Sequence, residues 1–187
     1  MKQINDIKKK VKWEDYYNPT FDWSDWEFYK NNKLPEDFIR EFKNKVDWYY
    51  ISKYQKLSED FIREFKNDVS WVDISMVQVL SEEFIREFQD KVDWDYISIN
   101  QKLSENFIRK FKKKVNWTYI SKHQKLSENF IREFKNKVEI YYILEYQKLS
   151  EDFIEELEEF NNKVDWWHIS EYEYQKLLKD LNMEIPN

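Results

Sequence analysis

Arg40, Arg63, Arg86, Arg109 and Arg132 follow one another at 23-residue steps and are all the arginines in the chain. Every other basic side chain except His123 and His168 is a lysine, so this position asks for a guanidinium. A guanidinium is a planar fork that grips a carboxylate or phosphate through two parallel N–H donors. A row of them would bind regularly spaced anions. A glutamate also stands four residues before each arginine (Glu36, Glu59, Glu82, Glu105, Glu128), the orientation favoured for ion pairs on a helix. The row therefore reads first as internal pairing, with the arginine stems covering apolar surface between repeats.

Charge is placed unevenly. Residues 103–125 hold seven positive and one negative side chain, and residues 149–176 hold two positive and nine negative. Arg109, Lys110, Lys112, Lys113 and Lys114 form a basic cluster suited to nucleic acid or an acidic partner. Glu151, Asp152, Glu155, Glu156, Glu158 and Glu159 suit a basic partner, or mimic nucleic acid. Each group also reads as a solvated helix face. The net charge of −6 argues against general nucleic-acid binding, which rests on neutralising phosphates.

Trp48, Trp71, Trp94 and Trp117 could stack bases, but they share a helical face with recurrent isoleucines and read as core. Tyr49, Tyr54, Tyr141, Tyr146, Trp167 and Tyr172 stand at positions that vary between copies, and suit protein-binding hot spots. Gln55, Gln78, Gln101, Gln124, Gln147 and Gln175 recur and read as a hydrogen-bond ladder joining helix ends to the next repeat. The two histidines occupy different repeat positions without a recurring carboxylate, so no catalytic dyad is expected.

The 187 residues include no glycine, alanine or cysteine. Phosphate-binding glycine loops, dinucleotide fingerprints and nucleophile elbows are thereby excluded, as are disulfides and thiolate chemistry. No catalytic, cofactor-binding or metal-ligating residue is expected. Nothing reads as a membrane span or a secretory signal, and a cytoplasmic protein is the default.

These side chains are set out by a repeat. Leu34, Leu57, Leu80, Leu103, Leu126 and Leu149 stand 23 residues apart, each opening a phrase such as LSEDFIREFKNDVSW. Ser58, Ser81, Ser104, Ser127 and Ser150 read as N-caps, with Pro35 in their place in the first copy. Phe61, Ile62, Phe65 and Val69 then share a helical face, and Asn44, Asn67, Asp90 and Asn136 are expected to end that helix. A second helix follows, capped by Asp47, Ser70, Asp93 or Asn116, because Trp71, Ile74, Ser75 and Gln78 fall at helical spacing. A strand-plus-helix repeat of the leucine-rich kind is the alternative. In one copy Ile140 replaces the tryptophan and Leu144 the serine, an exchange of volume within one pocket.

The expected fold is an all-α solenoid of short helix-turn-helix repeats with degenerate terminal caps, in one domain. Residues 1–33 hold degenerate repeats, 34–148 five 23-residue repeats, 149–176 an expanded acidic repeat and 177–187 a cap. Ile4, Ile7, Val11 and Trp13 echo one part of the repeat. Phe21-Asp22-Trp23 with Trp26 echo Val46-Asp47-Trp48 with Ile51. The phrase LSExFIxxFxxxVxW, from Leu34 to Leu177, resembles tandem 23-residue helical repeats of uncharacterised phage and large DNA virus proteins. That resemblance, with an AT-rich codon bias in the composition, implies a viral or AT-rich bacterial source and no particular activity. The expected function is a non-enzymatic scaffold that binds another protein, as a viral inhibitor or adaptor on a host protein, in the host cytoplasm if viral. Nucleic-acid binding through the arginines and Lys110–Lys114, or capture of a small anion, are the alternatives.

Overall fold

The computed structural model describes residues 16–161. Ile4, Ile7, Val11, Trp13, Trp167, His168, Tyr172, Gln175 and the 177–187 cap lie outside the described residues. Among those described there are twelve helices and no strand. They run α1 Trp26–Asn31, α2 Glu36–Glu41, α3 Trp48–Tyr54, α4 Glu59–Glu64, α5 Trp71–Val77 and α6 Glu82–Glu87. There follow α7 Trp94–Asn100, α8 Glu105–Lys110, α9 Trp117–His123, α10 Glu128–Glu133, α11 Ile140–Tyr146 and α12 Glu151–Asn161. The fold is the expected all-α repeat solenoid, and the segment VDWYYIS, β-prone by composition, is helical from Trp48 onward. The chain divides within α5 into one unit ending at Ile74 and another beginning at Ser75.

Isolated helices of six or seven residues do not hold in water, so packing and caps must hold these. Ser58, Ser81, Ser104 and Ser127 each accept a hydrogen bond from the N–H three residues on, at 3.1–3.2 Å. Asp47, Asp93 and Asn116 accept two apiece at the starts of α3, α7 and α9. Pro35 and Glu139 supply no side-chain cap. Ser70 caps α5 weakly through the Asp73 N–H, and its hydroxyl donates to the buried Asp73 carboxylate. The first helices end before Asn44, Asn67, Asp90 and Asn136: α2 closes at Glu41, and Phe42 turns the chain by accepting from Lys45 and Val46. The turn is closed by backbone bonds to one carbonyl, without glycine.

Leucine, both phenylalanines, valine and the two isoleucines of each of the five 23-residue repeats are buried. Full burial of such a side chain contributes about 1.5–3 kcal/mol. In the first unit α1 packs on α3, and in the second α7, α9 and α11 pack in succession, with α12 against α11.

Two ladders join the repeats. Gln55 accepts from the Leu34 N–H at 2.8 Å and donates to the carbonyls of Tyr29 and Asn32. Gln101, Gln124 and Gln147 do the same in the second unit, each donating to the previous repeat's serine and glutamine carbonyls. The last carbonyls of a helix have no partner within it; here the next repeat's amide supplies one. In the second ladder the Ser98 hydroxyl donates to Trp94 C=O at 2.7 Å and accepts from Asn116 N–H at 3.0 Å. Ser52 and Ser121 bridge likewise.

The degenerate start shows what the repeat requires. Trp23 lies over Phe38 and Phe42 with ring centroids 6.3 and 5.1 Å away, as Trp48 lies over Phe61 and Phe65 at 6.2 and 4.8 Å. The expected echo of Trp48 is therefore present in space. Trp26, expected in the place of Ile51, is instead 41% exposed and opens α1, because Phe28 and Tyr29 fill the buried positions. Tyr29 takes over the serine's bonds: its hydroxyl donates to Trp23 C=O and accepts from Asp47 N–H, both at 2.8 Å.

Candidate functional site

The arginines lie at the C-terminal ends of the first helices, where a cation complements the helix dipole. The nearer carboxylate is not the one four residues back. Arg40 Nε donates to Glu64 of the next repeat at 2.8 Å, while Glu36 stands at 3.6 Å and Asp37 at 3.1 Å. Arg109 reaches Glu133 at 2.7 Å and Arg132 reaches Glu156 at 2.9 Å. Their guanidinium carbons sit 5.0, 4.9 and 4.4 Å from the ring centroids of Phe61, Phe130 and Phe153. Each such arginine is thus a clamp, one repeat's cation held on the next repeat's ring and carboxylate. Hydrogen bonds to Glu64 and Glu133 are the main reason that Arg40 and Arg109 hold their protons more tightly than free arginine. Arg63 pairs with Asp60 at 2.9 Å and Glu59 at 3.7 Å.

The preceding glutamates do another job. Glu36, Glu105 and Glu128 accept from the N–H of Ser58, Ser127 and Ser150 at 2.7 Å, and Glu82 accepts from Ser104. For Glu128 this backbone bond is the largest cause of a pKa below the usual carboxylate range.

Arg86 differs. The residue 24 positions after each arginine is Glu64, Glu87, Lys110, Glu133 and Glu156 in turn. Where Arg86 needs a carboxylate, a lysine stands. Arg86 is exposed and, among the described residues, makes no hydrogen bond, ion pair or ring contact. The spacing that reveals this is present in the sequence, but pairing within one helix hides it.

Of the basic cluster, Lys114 is tied to Asp90 and to Gln89 C=O. Lys112 and Lys113 are exposed, without a side-chain bond among the described residues. Glu155 and Glu156 lie on α12, Glu156 paired to Arg132. The side chains of Glu158 and Glu159, and all of Trp167, fall outside the described residues.

The tryptophans are half-buried plates between repeats rather than deep core. Trp94 and Trp117 rest on Phe111 and Phe134 at 5.1 and 4.9 Å, with Lys114 and Lys137 over their rings. Their indole N–H groups donate to Gln89 and Lys112 carbonyls. Ring face and N–H are both engaged by the protein itself.

Much of the variation between copies lies on the outward face of the second helices. In α7, α9 and α11 it falls at Asp95, Thr118 and Tyr141, at Ile99, Lys122 and Glu145, and at Asn100, His123 and Tyr146. Val79, 92% exposed, stands where the other copies have Lys56, Lys102, Lys125 and Lys148. His123 is largely exposed beside Tyr119, and the slight burial of its ring, then the charge of Lys122, lowers its pKa. Among the described residues no group of three His, Asp or Glu is placed to hold a metal ion, and no helix is long and apolar enough to cross a membrane. No protein-family model, curated protein or solved structure matches the chain.

Proposed function

We propose that the chain is a non-enzymatic repeat scaffold that binds another protein. The observation that carries this reading is the division of labour within each repeat. The recurrent inward residues are consumed in joining repeats, while varied side chains line the outward face, among them Val77, Val79 and Tyr146. Exposed aliphatic and tyrosine side chains on a rigid frame suit protein recognition. With a viral source, the role becomes that of an inhibitor or adaptor docking onto a host protein in the host cytoplasm. The ladder arginines with carboxylate partners weaken the alternative of a continuous anion-binding row.

Affinity capture from candidate host lysate at moderate salt, after nuclease treatment, tests the reading. A stoichiometric protein partner is expected, lost when Val79→Lys and Tyr146→Ser are combined. Recovery of nucleic acid in untreated lysate with no stoichiometric protein would overturn it.

A further inference from the structure

We propose that Arg86 and Lys110 form an open rung that takes a carboxylate side chain from an acidic segment of the partner protein; this deepens the protein-binding reading and rests on it. The other rungs define what belongs there. Arg40, Arg109 and Arg132 each hold a glutamate of the next repeat at 2.7–2.9 Å. Lys110 occupies the equivalent position beyond Arg86, so the next repeat offers a second cation where the other rungs receive a carboxylate. On its own helix Glu82 is held by the Ser104 N–H, and Glu83 stands exposed at the position from which Asp37 and Asp60 reach Arg40 and Arg63; among the described residues neither forms an ion pair with Arg86.

Both cations are exposed, and Lys112 and Lys113 add two further exposed charges. A carboxylate entering the rung would take the Arg86 fork on its two oxygens, as Glu156 takes Arg132, with Lys110 supplying a second positive charge. It would also relieve the repulsion between two neighbouring cations. A carboxylate rather than a phosphate is favoured because the Arg40, Arg109 and Arg132 rungs of the same scaffold are each closed by one.

A fluorescein-labelled decapeptide of alternating glutamate and serine, titrated at low salt into the full chain, tests the rung. R86Q is expected to weaken peptide binding roughly tenfold, the loss of about 1.4 kcal/mol. K110E should weaken it at least as much, and should raise Tm by about one to three degrees, because it restores the missing internal pair. Unchanged peptide affinity in both variants, or no peptide binding by the wild type, would overturn the proposal. So would tighter binding of a 20-nucleotide single strand, or displacement of the peptide by inorganic phosphate at lower concentration than by free glutamate. A chain that captures a stoichiometric protein regardless of R86Q and K110E loses the rung and keeps the protein-binding reading. A chain whose rung binds the peptide while the lysate yields no protein loses that reading instead. A urea midpoint shared with the wild type shows that R86Q is folded.

Discussion

Gln124 accepts a hydrogen bond from the Leu103 N–H at 3.0 Å, across 21 residues of sequence, and both groups are buried. The same amide donates to the carbonyls of Ser98 and Gln101. One side chain thus satisfies three backbone groups that would otherwise lie in the interior without partners. Gln124→Leu keeps the volume and removes all three bonds, so a loss of about 2–4 kcal/mol is expected from urea denaturation. A change within about 0.5 kcal/mol would mean that the ladder carries no stability.

The copy without tryptophan offers a second test. Ile140 replaces Trp, Leu144 replaces Ser, and the residue equivalent to the ring-stacking Phe134 is Leu157, which is buried. Three positions have changed together from a stacked ring pair with a serine bridge to aliphatic packing. Leu144→Ser alone is expected to leave a cavity and cost about 2 kcal/mol or more. An unaltered denaturation midpoint would contradict this packing.

Tyr29 predicts the alkaline limb of the stability curve. Burial pushes its phenol up to about 12. An unfolded tyrosine ionises near about 10, so stability is full below that pH and falls as pH rises towards about 12. Tyr29→Phe should flatten this limb, besides lowering stability by stranding Trp23 C=O and Asp47 N–H. Glu128 acts at the other end: its lowered pKa contributes stability above the ordinary carboxylate range, lost as pH falls through the native value. Glu128→Gln should reduce the acid dependence. Limbs of unchanged slope in the two variants would refute the assignments.

The repeat, its two helices and most caps were legible in the sequence because each rests on local spacing. What joins the repeats was legible only in part. The glutamines were recognisable as half-buried amides needing partners. The serine beside each isoleucine reads as merely small, yet it is a bridge: Ser98 binds Trp94 and Asn116 at once. From spacing alone the arginine's first partner reads as the glutamate four residues back, because the geometry within one helix is fixed. Only the stacking shows that Glu64 lies closer to Arg40 than Glu36 does. Trp26 misleads for a related reason: its type matches the pattern, but two buried aromatics, Phe28 and Tyr29, compete for the place and fit it better.

Lysine substitutions separate clamp from open rung. Arg40→Lys keeps the charge but loses the fork and the stacking on Phe61, and is expected to cost up to about 1 kcal/mol, the range of partly exposed pairs. Arg86→Lys should leave the urea midpoint unchanged, having no internal bond to lose. Equal effects at the two positions would remove the distinction between them.

The separation of inward architecture from outward recognition is tested most directly by transplanting one helix face. Thr118→Asp, Lys122→Ile and His123→Asn together give α9 the outward residues of α7, Asp95, Ile99 and Asn100. Urea unfolding is expected to show an unchanged slope and a stability within about 0.5 kcal/mol of wild type. A loss of more than about 2 kcal/mol, or an altered slope, would show that the outward face is part of the fold and would contradict the account.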